Sequence, residues 1–126
     1  MNLNQVTVPC LDLGQSVDFY RRLGLQLIVY DPPRYARFQC PSGDSTFSLH
    51  RADHADSASA PVIYFEVEDL DEHVRQLQDA GLRFESGPVD QPWLWREAFI
   101  RDPAGNRLCL YRAGSNRLFP PWRLSE

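Results

Sequence analysis

The stretch QVTVPCLDLGQSVDFYRRLGLQL at residues 5–27 has a related copy, VIYFEVEDLDEHVRQLQDAGLRF, at residues 62–84. The two align without a gap and share Asp12/Asp69, Leu13/Leu70, Val17/Val74, Gly24/Gly81 and Leu25/Leu82. A second matching pair follows in the same order, FSLHRA at 47–52 and LCLYRA at 108–113. Two matches in one order indicate an internal duplication.

Each copy has the same predicted local structure. An alternating, β-branched and aromatic run predicts a strand, and apolar residues at helical spacing predict a helix after it. Asp12 and Asp69 stand at N-cap positions, and Gly24 and Gly81 stand where helices commonly end. Three more strands are predicted in each half, at 25–31, 35–40 and 45–51 and at 82–86, 95–101 and 107–112.

Length and composition fit one domain. The chain has 126 residues, of which 43% are hydrophobic. We expect a first module at 1–56, a second at 57–113 and a tail at 114–126, with a small polar linker at 53–60. Each half is too small to be stable alone, so the halves should share a core or swap with another copy. The aromatic tail should pack against the body or a second subunit.

Charge and composition exclude several classes of function. The net charge of −4 argues against a nucleic-acid surface, and no apolar run reaches the roughly 20 residues of a membrane span. The chain contains no Lys, which excludes Schiff-base chemistry. The three widely spaced cysteines predict reduced thiols in a cytoplasmic protein.

Residues 3–25 and the segment FIRDPAGNRLCLY at 99–111 resemble the vicinal oxygen chelate superfamily, which includes glyoxalase I, bleomycin-resistance and extradiol dioxygenase proteins. The resemblance implies an α+β fold of two tandem βαβββ modules that form a cupped, partly open mixed sheet. It also implies a homodimer and a small-molecule ligand in the cup.

The resemblance places the usual metal ligands at Gln5, Ser48, Val62 and Cys109. Valine has no donor atom and neutral serine is a poor ligand, so we expect no resident cofactor. The alternative is a divalent metal at a shifted site made by Gln5, His50 and Glu66, or by Glu97 in place of Glu66.

Strand alternation, together with the resemblance, predicts the lining of the cup. The expected ligand-binding residues are Gln5, Thr7, Arg37, Ser48, Tyr64, Trp95, Phe99, Cys109 and Tyr111. Groups able to transfer a proton are Glu66, Glu97 and His50. Regular pairing predicts that Arg37 lies opposite Ser48. A simpler interpretation of Arg37 is a structural ion pair with a carboxylate.

Three functions remain open at this point. The first is a protein that binds a small polar or aromatic molecule, as a glyoxalase-like lyase or isomerase without the usual metal ligands. The second is a non-catalytic protein that sequesters a drug or metabolite. The third is a metal-dependent lyase with the shifted site.

Overall fold

The computed structural model describes residues 2–55 and 60–125. The first module comprises β1 (Gln5–Cys10), α1 (Leu13–Leu23), β2 (Gln26–Asp31), β3 (Tyr35–Gln39) and β4 (Thr46–Arg51). The second comprises β5 (Ile63–Glu66), α2 (Leu70–Asp79), β6 (Phe84–Asp90), β7 (Arg96–Arg101) and β8 (Arg107–Arg112), and a short 3-10 helix, Gly114–Asn116, follows. The predicted α+β architecture of two tandem βαβββ modules, each with an open mixed sheet, is confirmed. Part of the predicted linker, residues 56–59, lies outside the described residues.

The helix ends form as the sequence predicted. Asp12 accepts a hydrogen bond from the Gln15 amide at 3.0 Å, and Asp69 accepts one from the Glu72 amide at 3.3 Å. These bonds satisfy amides that the first helical turn leaves free. Gly24 ends α1 with a φ of 113°, a left-handed conformation that glycine adopts without strain.

The predicted end of the sixth strand was wrong. The sequence predicted a strand at 82–86, whereas β6 runs through Gly87 and Pro88 and continues to Asp90. The pairing of β6 with β7 shifts register between Ser86 and Val89, and this irregularity accommodates both residues. Because β6 lies at the edge of its sheet, the missing N–H of Pro88 costs no ladder bond.

The first compact unit comprises Met1–Pro61 with Arg101–Asn106. Its sheet has the order β1-β4-β3-β2, with β1 parallel to β4. Tyr20 of α1 packs against Phe38 and Phe47, with ring centroids 5.8 and 4.5 Å away. All three side chains are fully buried, so the core of this unit lies between α1 and one face of the sheet.

Asp102 is a buried carboxylate in the first unit. It accepts hydrogen bonds from the Tyr20 hydroxyl at 2.6 Å and from the amides of Ala104 and Asn106 at 3.0 and 2.8 Å. The Asn106 side chain donates to Asp102 at 2.7 Å and to the Pro9 carbonyl at 2.8 Å. Burial, followed by the charge of Asp102, raises the pKa of Tyr20, so the phenol keeps the proton that it donates.

The second compact unit comprises Val62–Ile100 with Arg107–Glu126. Its sheet has the corresponding order, β5-β8-β7-β6, with β5 parallel to β8. Leu108 and Leu110 are buried, as are the apolar residues of α2, and Cys109 and Tyr111 alternate with them onto the other face of the sheet. Neither helix within the described ranges has the length and apolar character needed to cross a membrane.

Candidate functional site

The first sheet has a polar face on the side opposite its core. Ala36 and Phe38 are buried in the core. Because side chains alternate along a strand, Tyr35 and Arg37 project from the other side of the sheet. Ser48 pairs with Arg37 across β3 and β4, which confirms the predicted register. The polar face is therefore built on Tyr35, Arg37 and Ser48.

Two hydrogen bonds join these three side chains. The Arg37 Nε donates to the Tyr35 hydroxyl at 2.8 Å, and that hydroxyl lies 2.8 Å from the Ser48 Oγ. Slight burial alone would raise the pKa of Tyr35, but the bonds to Ser48 and Arg37 and the charge of Arg37 lower it. Tyr35 was missed by the sequence reasoning, although alternation with Arg37 along the same strand could have identified it.

Arg37 does not form the structural ion pair suggested above. Among the described residues of the first unit, no carboxylate lies at ion-pair distance from its guanidinium, which instead stands 5.5 Å from the Tyr35 ring centroid. Strands β1, β3 and β4 contain no Asp or Glu, and Asp31 at the end of β2 is ion-paired with Arg34, so the sheet of the first unit supplies no carboxylate partner for Arg37.

The other predicted residues of the first unit lie on β1 and β4. Gln5 pairs with Thr46 and accepts a hydrogen bond from the Thr46 hydroxyl at 2.8 Å, and Thr7 pairs with Ser48. His50 is exposed and pairs with Tyr35. His50 is four residues beyond Thr46, about 13 Å along the strand, so the structure does not bring Gln5 and His50 together.

The second sheet has an aromatic face. Trp95 stacks on Tyr111 with ring centroids 4.6 Å apart and planes inclined by 17°, and Tyr64 meets both rings edge-on at 6.1 and 5.6 Å. Tyr111 is buried, Trp95 is half-buried and Tyr64 is 49% exposed. These three residues are called the aromatic cluster below, and its half-exposed Tyr64 and partly exposed Trp95 leave aromatic surface open to a ligand.

Phe99, Glu97 and Cys109 are further predicted residues of the second unit. Phe99 carries the Arg107 guanidinium 3.9 Å above its ring, and it packs with Trp95 against Cys109. Glu97 is only 4% exposed and accepts a hydrogen bond from the Trp93 indole at 3.2 Å. Burial, followed by the charge of Glu97, raises the pKa of the Cys109 thiol to about 12.

Glu66 holds the beginning of the C-terminal tail. One of its oxygens accepts from the amides of Ala113 and Gly114, both at 2.8 Å, and from Arg112 at 3.4 Å. Its other oxygen lies 3.8 Å from Arg117. Partial burial would raise the pKa of Glu66, but the two amide bonds and the two arginines hold it below its ordinary value.

This arrangement gives a pH dependence with a definite sign. Since the pKa of Glu66 is lowered, its bonds stabilise the tail fully above the ordinary value of 4.5 and are lost as the pH falls through the lower folded value. The amide NMR signals of Ala113 and Gly114 should titrate with a midpoint below 4.5. The titration should vanish in Glu66→Gln and persist in the control Glu68→Gln. A midpoint at or above 4.5 would contradict the assignment.

The residues at the implied metal positions do not fit a metal ion. Val62 offers no donor atom, and the Ser48 hydroxyl is neutral, fully buried and bonded to Tyr35. A metal needs a deprotonated thiolate or a free imidazole or carboxylate. Across the described ranges, no group of three His, Cys, Asp or Glu residues could hold a metal ion.

A protein-family sequence model, described as Glyoxalase/Bleomycin resistance protein/Dioxygenase superfamily, matches residues 2–110. Among curated proteins, the uncharacterized protein YraH of Bacillus subtilis is 27% identical, over 89% of this chain and 98% of its own length.

Two solved structures share the fold. A bleomycin-binding protein complexed with bleomycin is 24% identical with a TM-score of 0.71, covering 89% of this chain and 98% of that one. Lactoylglutathione lyase from Agrobacterium tumefaciens is 22% identical with a TM-score of 0.72, covering 88% of this chain and 92% of that one. These likenesses concern the fold alone, and they agree with a sequence match that extends over most of the chain. The chain therefore belongs to the Glyoxalase/Bleomycin resistance protein/Dioxygenase superfamily.

Proposed function

We propose that this protein binds a small organic molecule with a planar aromatic group and does not transform it. The half-exposed ring of Tyr64 beside the stacked pair of Trp95 and Tyr111 is the observation that carries the proposal. Aromatic side chains with exposed rings attract planar ligands through stacking and apolar burial. Their mutual packing holds the rings in place, so little side-chain entropy is lost when a ligand binds.

The state of the two candidate acids supports binding over catalysis. Glu97 is buried and bonded to the Trp93 indole, and Glu66 is bonded to two backbone amides. A general base needs a lone pair within reach of the substrate's proton. Both carboxylates already use oxygens on the protein itself. The fold is also shared with a bleomycin-binding protein that was solved in complex with bleomycin.

The proposal is tested by titrating the protein with bleomycin, with cationic proflavine and with anionic 1-anilinonaphthalene-8-sulfonate, while following tryptophan fluorescence. We expect saturable quenching by at least one probe, at one site per chain, and the same affinity in Glu97→Gln. The proposal would be overturned if none of the three probes bound saturably with a dissociation constant below about 1 mM, which corresponds to a binding free energy of about −4 kcal/mol.

A metal-independent lyase or isomerase is the second candidate. The exposed imidazole of His50, which pairs with Tyr35 at the polar face, is the observation that favours it. Turnover of a bound ligand that disappears in His50→Ala while affinity survives would establish this function in place of the first. The shifted metal site gains no support, because Gln5 pairs with Thr46 whereas His50 lies four residues further along β4.

A homodimer in the cytoplasm is part of the same proposal. Four apolar side chains of the tail, Leu118, Phe119, Trp122 and Leu124, are 52–77% exposed in the single chain, and a second subunit would remove them from water. All three cysteines are free thiols, which agrees with a reducing compartment.

A further inference from the structure

We propose that Arg37 anchors a second binding site, on the polar face of the first sheet, which takes the carboxylate group of a small organic anion. This site uses other residues than the aromatic cluster and does not depend on the function proposed above.

The orientation of Arg37 leaves its two terminal nitrogens available. Its Nε donates to the Tyr35 hydroxyl, which the fully buried Ser48 holds from the other side. Neither Nη nitrogen has a hydrogen-bond partner among the described residues of the first unit. The guanidinium is therefore fixed by its inner N–H, and its outer pair of NH₂ groups can meet an anion.

The positive charge of Arg37 is not paired with a carboxylate of its own unit, unlike that of Arg96. Arg96 is half-buried like Arg37, but it is ion-paired with Asp71 at 2.8 Å and Asp90 at 3.0 Å. Removing part of the water from a cation costs free energy unless an anion takes its place. At Arg37 the chain supplies a neutral phenol instead, which leaves the positive charge for a ligand.

The surroundings favour an anion. Strands β1, β3 and β4 carry no Asp or Glu, and the nearest acid in register, Asp31 opposite Tyr35, is ion-paired with Arg34 at 2.7 Å. The exposed His50 and the Thr7 hydroxyl add hydrogen-bonding groups next to Tyr35 and Ser48.

The geometry of the free nitrogens selects a carboxylate. With Nε already used, four N–H bonds remain, two on each Nη nitrogen, and one from each Nη points outward in parallel at the end of the planar fork. A planar carboxylate accepts both at once, which gives a bidentate, charge-assisted contact. Tyr35 acts as a positioning residue, because its hydroxyl sets the plane and direction of that fork.

The test uses the full chain, labelled with ¹⁵N-arginine, titrated with benzoate and separately with inorganic phosphate. The Arg37 Nε signal is assigned by its loss in Arg37→Gln. We expect benzoate to shift that signal to saturation in the wild-type protein, and calorimetry to show at least tenfold weaker benzoate binding in Arg37→Gln. The control Arg83→Gln removes one exposed arginine and should retain wild-type affinity. Tyr35→Phe keeps the charge of Arg37 but removes the hydroxyl that orients its guanidinium, so benzoate affinity is expected to fall three- to tenfold.

Several outcomes would overturn the proposal. One is an Arg37 signal that benzoate leaves unmoved; another is equal benzoate affinity in Arg37→Gln and Arg83→Gln. Saturation by phosphate without saturation by benzoate would also refute it, because the site would then take a phosphate. If Arg37→Gln does not fold, Arg37→Lys supplies the signal assignment, and the wild-type titration and Tyr35→Phe still decide the question. The result is separable from the bleomycin titration, since Trp95→Ala should leave the Arg37 response intact.

Discussion

Replacing Asp102 with alanine is expected to lower the free energy of unfolding by about 3–5 kcal/mol, the range seen when a buried polar network is broken. Asp102 is 4% exposed and accepts bonds from the Tyr20 hydroxyl, two amides and the Asn106 side chain. Alanine would leave all four donors without this acceptor, and the Tyr20 hydroxyl is itself fully buried. The decrease in the free energy of unfolding would therefore be several times the contribution of one hydrogen bond.

Urea unfolding followed by circular dichroism measures the effect. Asp44 is a matched control, since it is an exposed aspartate in the corresponding hairpin turn of the first module, and Asp44→Ala should change stability by less than about 0.5 kcal/mol. Tyr20→Phe removes one donor only and should cost about 1–2 kcal/mol. If Asp102→Ala and Asp44→Ala unfold at similar urea concentrations, the Asp102 network does not stabilise the fold.

Replacing Trp95 with alanine is expected to weaken binding of a planar aromatic probe about 30-fold, equivalent to about 2 kcal/mol of lost stacking. Trp95 contributes a flat surface that stacks on Tyr111 and meets Tyr64 edge-on. Its removal would take away the largest ring of the aromatic cluster and the support of the other two. The ligand would lose contact area, and Tyr64 would lose its fixed orientation.

Competition with the probe that binds best in the fluorescence titration gives the affinity of each variant. Trp122→Ala is the control, because Trp122 is an exposed tryptophan of the tail, and it should bind within about twofold of the wild type. Thermal unfolding of Trp95→Ala should remain cooperative, which separates lost contact from lost fold. Equal affinities in Trp95→Ala and Trp122→Ala would exclude the aromatic cluster as the binding surface.

The fold was largely predictable because its signals are local and occur twice. Alternation identified the strands, helical spacing identified α1 and α2, and Asp12, Asp69 and Gly24 marked where helices begin and end. The pairing of Arg37 with Ser48 followed from counting back from one hairpin turn. Each of these inferences needs only neighbours in sequence or a single regular turn.

The candidate site was less predictable because its contacts are distant in sequence. Glu66 was recognised as a titratable group, but its bonds to Ala113 and Gly114 depend on where the chain runs after β8. Tyr20 and Asp102 are far apart in the chain, and nothing local signals that they meet. The catalytic roles suggested for Glu66, Glu97 and His50 remain predictions, as do the binding roles of the other lining residues.

The duplication keeps the interior of each half and varies its lining. Leu49 and Leu110 are equivalent in the duplication, and both are buried in the core of their unit. On the face of the sheet away from the core, by contrast, Thr7 of the first unit is replaced by Tyr64 in the second. Substitutions on the face away from the core in one repeat do not change the core residues that stabilise the other repeat. A lineage built on such a pair can therefore acquire or discard a ligand preference one repeat at a time, and an engineer can do the same.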